Sequence, residues 1–326
     1  MASIDPVRAD PKLAIRDQAA DGNPPPIPFR LMGSTGEGVV FLHANGYPPE
    51  CYLPLLAPLA AEHRIWVMHQ RPLWAGSRPE TVDSWHLLSA DLLTFLDERG
   101  EAKVVAVGHS MGAVVAIRAA MRSPSRFKGL VLLDPVLVSK GTMVAWRFLR
   151  TLGTGHRLHA KIGSTLRRRR SFGDPEEAFR GYRQRGVFRY MADDALRAMI
   201  DGLIAPDSSG GYSLRYSPEW ESRIYHTAIW NDNDLWDGIS RLTVPALIVR
   251  GAESDTLTKF TCRAVQRLNP RIQIVTVQGA SHLVPLEKPA AVDEMIRAFL
   301  SDLAGGSGRG VPVTSRPGKA PARLHD

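Results

Sequence analysis

Six short, largely apolar runs constrain this chain most, five of them unbroken: VVFL at 39–42, IWVM at 65–68, VVAV at 104–107, LVLL at 130–133 and ALIV at 246–249, with IQIVTV at 272–277 the sixth. A strand with one wet face alternates apolar and polar residues. A run that is apolar on every residue must be covered on both faces, which is the pattern of a parallel sheet between two layers of helices. Helical patterns separate most of the runs, at 82–98, 111–122, 257–268 and 289–303. Strand and helix in alternation predict an α/β fold with a doubly wound, mostly parallel sheet. With 326 residues, 44% of them hydrophobic, the chain can bury such a sheet without disulfides or metals. Its two cysteines, Cys51 and Cys262, sit in no paired motif and read as reduced thiols.

The rhythm breaks once. About a hundred residues, from Ser139 to Thr243, separate two core strands. Within them Asp174-Pro175-Glu176-Glu177 is a helix start, with Asp as N-cap, Pro at the first helical position and Glu completing a capping box. A second helical pattern covers 191–204, Gly210-Gly211 turns the chain before 212–216, and Pro218-Glu219-Trp220 opens another helix. An insertion of this size with helices of its own predicts a helical cap near the C-terminal edge of the sheet. The expected organisation is a flexible leader at 1–26, an α/β core at 27–138 and 241–303, the cap at 139–240 and a disordered Gly/Pro/Arg-rich tail at 304–326. The first residues carry no basic-then-apolar leader, and no apolar run approaches the ~20 residues of a membrane span, so a soluble, cytoplasmic protein without a transmembrane segment is expected.

The net charge of +8 is concentrated. Between Lys140 and Arg189 thirteen Lys and Arg face three acids, with Arg167-Arg168-Arg169-Arg170 as the densest point. The plainest reading is a solvated face on the cap; an anionic surface or ligand is the alternative partner. No nucleic-acid motif and no interleaved aromatics accompany the charge, so nucleic acid is not expected.

The sharpest chemical signal is Gly108-His109-Ser110-Met111-Gly112, directly after the run at 104–107 and before a helical pattern. In that setting G-x-S-x-G lifts a serine hydroxyl above the sheet edge on a strained turn, and the following helix brings amide donors to the same point. Serine needs a general base held by an acid. His282, in Gly279-Ala280-Ser281-His282-Leu283 after the last run, is the candidate base. Two acids end strands on the same edge: Asp255, in RGAESD, is preferred, and Asp134, after LVLL, is the alternative, with Glu253 a distant third. Glu287 reads as a helix-start carboxylate and His43 as packing beneath its own loop. The Met111 amide and one from the loop His43-Ala44-Asn45-Gly46-Tyr47 are the expected oxyanion donors, with Asn45 ahead of Ala44. Tyr47, His109, Leu283 and Val284 are expected beside the substrate, a small molecule whose apolar character the aromatic-rich cap suggests.

HANGYPP, GHSMG, LVLLDP, RGAESD and GASHLVPLEKP, in this order across 27–303, resemble the successive landmarks of the capped α/β-hydrolase superfamily. The resemblance implies Ser110, His282 and Asp255 as a triad and a cap at about 139–240. One departure is Ala44, where the family's first loop usually has glycine. Members that open epoxides or remove halides typically carry Asp at the elbow, so Ser110 speaks against those activities. The function expected is hydrolysis of a carboxylic ester, lactone or thioester through an acyl-enzyme, with no cofactor and no metal. C–C bond hydrolysis, cofactor-free peroxidation and a ligand receptor with a vestigial triad are the alternatives on the same fold.

Overall fold

The structure, a computed structural model, describes residues 26–138, 163–228 and 233–305. Most of the expected leader and tail, and the stretch 139–162 of the expected cap, lie outside the described residues. The chain order is β1 (Phe29–Met32), β2 (Gly38–Leu42), α1 (Leu53–Leu59), β3 (Arg64–Met68), α2 (Trp85–Glu98), β4 (Val104–His109), α3 (Met111–Arg122) and β5 (Phe127–Leu133). After it come β6 (Ser171–Phe172), α4 (Pro175–Arg183), α5 (Asp193–Leu203), β7 (Ile204–Pro206), β8 (Tyr212–Leu214), α6 (Pro218–Thr227) and α7 (Asn233–Arg241). The core closes with β9 (Ala246–Gly251), α8 (Lys259–Leu268), β10 (Gln273–Val277), α9 (Val284–Glu287) and α10 (Pro289–Ala304).

Seven strands form one sheet in the order β1-β3-β2-β4-β5-β9-β10, parallel except for β1, which runs antiparallel to β3. Alternate residues of the central strands go to opposite faces. Val40, Ala106, Leu130 and Ile248 join an apolar layer with α2, α3, α7 and α8. Val39, Val105, Val131 and Leu247 join the other, with α1, α10 and part of the inserted segment. The unbroken apolar runs thus have the physical origin expected of them, and the doubly wound sheet is observed. From β2 the chain moves outward to β3 and then returns to the other side of β2 with β4, so the strand order reverses between β2 and β4. Loops leaving the two strands there diverge and leave a crevice at their carboxyl ends.

Two elements carry no clear sequence signal. In β1 every side chain is at least partly exposed, so no apolar run marks it. In α1, LPLLAPL, the prolines read as breakers; Pro54 sits in the first turn, where a missing N–H costs nothing, and Pro58 near the end.

The inserted segment from 163 to 241 holds α4 to α7, as a mostly helical insertion should, and also a three-stranded antiparallel sheet in the order β6-β8-β7. Asp174 caps α4 by accepting the Glu177 N–H at 2.7 Å. The Glu177 carboxylate reaches past the cap residue to the Gly173 N–H, also at 2.7 Å. The arginine run is largely consumed in internal ion pairs: Arg168 with Glu221, Arg169 with Glu177 and Arg170 with Glu219. Its density in the sequence therefore overstates the charge this part of the surface offers to an anionic partner. Among the described residues no helix is long and apolar enough to cross a membrane.

Candidate active site

At the end of β4 the backbone of Ser110 is forced to φ 55° and ψ −111°, a conformation that costs a residue with a side chain and persists because the turn is held on both sides. The Ser110 N–H donates to the Leu133 carbonyl of β5 at 2.9 Å. The flanking glycines are there for space. A Cβ on Gly108 would lie 2.4 Å from the Gly112 carbonyl oxygen, and one on Gly112 would lie 2.3 Å from that of Leu42. The strand, turn and helix pack too closely for any side chain at either position.

Ser110 Oγ lies 2.9 Å from His282 Nε2, and His282 Nδ1 lies 2.8 Å from Asp134 Oδ1. A carboxylate only accepts, so Nδ1 carries the proton and Nε2 is left to accept from the serine hydroxyl. Asp134 is fully buried at φ 42°, just past β5. Its Oδ1 also accepts from the Ser254 hydroxyl at 2.6 Å, and its Oδ2 from the Gly251 N–H at 3.0 Å. These donors and the imidazole N–H compensate a carboxylate that would otherwise be costly to bury.

The acid beside His282 is therefore Asp134, where Asp255 had been the preferred candidate. The loop after β9 explains the difference. Ser254 turns inward and is buried against Asp134, whereas Asp255 is exposed and only accepts from the Thr256 hydroxyl at 3.2 Å. Glu253 is exposed as well. Gly251 brings β9 against the histidine loop: a Cβ there would lie 2.1 Å from the Ser281 carbonyl oxygen. From the other side Glu287 clasps that loop, its carboxylate accepting the Ser281 N–H and hydroxyl, each at 2.6 Å. Burial raises the Glu287 carboxyl above the usual range, while the Ser281 bonds oppose the shift.

The loop after β2 turns at Ala44–Tyr47, closed by the Tyr47 N–H donating to the Ala44 carbonyl at 3.3 Å, with Gly46 at φ 78° as the third residue of a type II turn requires. Its amides have distinct partners. The Ala44 N–H donates to the Tyr52 hydroxyl at 3.2 Å, so Ala44 is not the free donor it was weighed as. The Gly46 N–H makes no backbone hydrogen bond among the described residues. Between them the backbone N–H of Asn45, like that of Met111, has no acceptor among the described residues.

His109 had been expected beside the substrate; it is fully buried instead and ties three loops together. Its Nε2–H donates to the His282 backbone carbonyl at 2.9 Å, so its Nδ1 must accept, and Tyr52 donates to it at 2.7 Å. His43, also fully buried, donates from Nδ1 to the Ala44 carbonyl at 2.9 Å and accepts the Gln70 N–H at Nε2, 3.2 Å. Desolvation lowers both imidazoles to about 3, and each remains a neutral ring with fixed donor and acceptor sides. Leu283 and Val284 are buried in the apolar layer with Leu286 and Val292. Tyr47, partly buried, packs against that same layer. Tyr52, Ser254, Tyr216 and Glu221 were not singled out from the sequence, and no motif marks them. A shallow hollow of about 770 Å³ near Glu37, Lys103 and Lys128 opens at the amino ends of the strands, away from Ser110.

Comparison with known proteins agrees with this architecture. Epoxide hydrolase A of Mycobacterium tuberculosis is 27% identical over 312 aligned positions, covering 83% of this chain and 92% of that protein. Lipase LipV of the same organism is 26% identical, covering 83% and 91%. Among solved structures, E-2-(acetamidomethylene)succinate hydrolase superposes with a TM-score of 0.67 at 22% identity, over 84% of this chain and 94% of that one. The peroxisomal α/β-hydrolase Lpx1 of Saccharomyces cerevisiae superposes with a TM-score of 0.66 at 20% identity, covering 87% and 82%. The model of the Alpha/beta hydrolase family matches residues 39–295, most of the chain, and the protein belongs to that family.

Proposed function

We propose that this hydrolase cleaves a carboxylic ester, lactone or thioester of a largely apolar small molecule through an acyl-enzyme on Ser110. The observation that carries the reading is the unbroken relay from Ser110 Oγ to His282 Nε2 at 2.9 Å and from His282 Nδ1 to Asp134 Oδ1 at 2.8 Å. In this reading His282 takes the hydroxyl proton as Ser110 attacks the acyl carbon, and Asp134 holds the ring and stabilises the imidazolium. The Asn45 and Met111 amides receive the developing oxyanion. His282 then protonates the leaving alcohol or thiol, and water activated by the same imidazole releases the acid.

The identity of the nucleophile favours acyl transfer over epoxide opening, although relatives include proteins named for either chemistry. A carboxylate that opens an epoxide forms an ester, which water can hydrolyse. Serine attacking an epoxide carbon would form an alkyl ether, which this site has no means of cleaving, whereas an acyl-serine turns over. The buried apolar layer to which Leu283, Val284, Phe188 and Met191 belong supports an apolar acyl or alcohol portion. The test is labelling with a fluorophosphonate, peptide mapping, and turnover of short-chain p-nitrophenyl esters by wild type and Ser110→Ala. Label on Ser110 and loss of turnover in the variant are expected. Wild-type turnover by Ser110→Ala would overturn the mechanism.

A further inference from the structure

The side chain of Asn45 is held at both ends by the inserted segment. Its Nδ2–H donates to the Glu221 backbone carbonyl in the first turn of α6 at 3.0 Å, and its Oδ1 accepts from the Tyr216 hydroxyl at 2.9 Å. Both partners are buried, and Tyr216 is 1% exposed. The next residue is confined as well: a Cβ on Gly46 would lie 2.9 Å from the Glu221 carboxyl carbon. That carboxylate is in turn paired with Arg168, whose Nε and Nη2 donate to the Tyr182 hydroxyl at 3.0 and 2.6 Å. Helix α6 is itself fixed to the core. Arg223 donates to the Val82 carbonyl at 2.6 Å, and the Trp85 indole N–H donates to the Ile224 carbonyl at 3.2 Å.

Asn45 therefore has two functions separated by three bonds. Its backbone N–H is an unengaged amide of the loop among the described residues, and its side-chain amide is the attachment point of the insertion. We propose that Asn45 is a positioning residue through which the seated insertion, by Glu221 and Tyr216, sets the direction of the Asn45 backbone N–H at the oxyanion site. A primary amide is suited to this task because it offers one donor and one acceptor in a fixed plane, and both are used. An oxyanion donor acts only when it is aimed before the charge develops, so a donor whose side chain is clamped costs no reorganisation during the reaction. The insertion is then part of the catalytic geometry as well as a cover: unseating α6 leaves the loop amide free to swing.

The inference rests on the acyl-transfer reading, and the experiment separates the two. Asn45→Ala keeps the backbone N–H and removes both clamps. Against a p-nitrophenyl ester its kcat should fall about 10- to 100-fold, the scale of a misplaced catalytic group and below outright loss of a donor, while KM stays within about threefold. Tyr216→Phe, which keeps the ring packing and removes one clamp, should lower kcat about three- to tenfold. The two losses should not multiply: the double variant should be no worse than Asn45→Ala within about twofold, since both act through one contact. Thermal melts give the folded fraction of each protein, and if Asn45→Ala does not fold, Tyr216→Phe carries the test. Unchanged kcat per folded molecule, or multiplying losses, would reduce Asn45 to structural glue and overturn the proposal. Fluorophosphonate labelling distinguishes the failures. A wild type that takes no label sinks the acyl-transfer reading, whereas label entering wild type and Asn45→Ala at one rate sinks the clamp alone.

Discussion

Replacing Asp134 by asparagine tests the site at the point where sequence and structure differ most. The native carboxylate is fully buried and accepts from three donors: the His282 Nδ1–H at 2.8 Å, the Ser254 hydroxyl at 2.6 Å and the Gly251 N–H at 3.0 Å. An asparagine offers one acceptor oxygen and one donor nitrogen to that all-donor environment. With the oxygen toward His282 and Ser254, its NH₂ faces the Gly251 N–H, and two donors meet in a buried space. With the amide flipped, its NH₂ faces His282 Nδ1, which must then give up its proton. Nε2 becomes the protonated nitrogen and cannot accept from Ser110. Either outcome costs ground already held. The second removes the base, and the loss expected in kcat is about 10⁴-fold, which at 1.36 kcal/mol per decade is about 5.5 kcal/mol of transition-state stabilisation. Asp255→Asn is the matched control, because that side chain is exposed and its hydrogen bond is local; kcat/KM should stay within about twofold. Turnover of p-nitrophenyl acetate by both variants, corrected for the folded fraction from thermal melts, decides the matter. If Asp255→Asn were inactive and Asp134→Asn active, the reasoning from burial and tautomer would be wrong.

Ser254→Ala leaves the Asp134 carboxylate one donor short, and kcat should drop about tenfold with little change in KM, the usual scale of a hydrogen bond to a charged group. Glu287→Gln weakens the clasp on Ser281; the thermal midpoint should fall by several degrees, and kcat by less than about tenfold, since only the loop carrying His282 is loosened. Gly112→Ala drives a methyl to 2.3 Å from the Leu42 carbonyl oxygen, so soluble expression should be lost. The buried imidazoles of His43 and His109, held down to about 3 by desolvation, make the fold acid-sensitive. The unfolded chain takes up their protons first, near 6.5, so this stability is complete above that pH and falls on acidification toward 3, by about 1.4 kcal/mol per pH unit for each ring. Denaturant melts between pH 7 and 4 should show that slope, and His109→Gln should flatten it; an unchanged slope would mean that the folded ring takes up its proton as readily as the unfolded one.

The parts that were legible are those that repeat or that obey a steric rule. Five unbroken apolar runs predict a covered parallel sheet because burial on both faces leaves no room for polar alternation, and Gly108 and Gly112 flag the turn because nothing larger fits between strand and helix. His282 could be found because the loop after the last strand has one imidazole to offer. Which acid meets it could not be read so directly. Asp134 and Asp255 both follow core strands at the same sheet edge, and the choice depends on which way one residue of the β9 loop points: Ser254 faces in and Asp255 faces out. The arginine run was legible as a charged face but its pairing was not, since Glu219 and Glu221 lie on a helix that only the fold brings beside it.

The same reasoning explains why the loop proposed to receive the oxyanion was half legible. Sequence points to the segment Ala44–Tyr47, yet its amides differ in availability because a tyrosine from elsewhere takes the first of them. Tyr52 follows eight residues later in the chain and takes the Ala44 N–H; Tyr216 comes from the insertion and donates to the Asn45 side chain. The Asn45 amide stays open, and its side chain is the one that the insertion holds. Tyr52 does more than occupy Ala44, because its own proton goes to His109, whose other nitrogen holds the His282 carbonyl. Tyr52→Phe should therefore loosen the oxyanion loop and the base loop together while leaving every proposed reacting group in place. The expected signature is a fall in kcat of about tenfold, a KM within about threefold and a modest loss of thermal stability, since one hydroxyl serves two hydrogen bonds inside a buried network. If kcat per folded molecule were unchanged, the three loops would be held by their backbone packing alone, and the Tyr52–His109 relay would have no part in aligning the site.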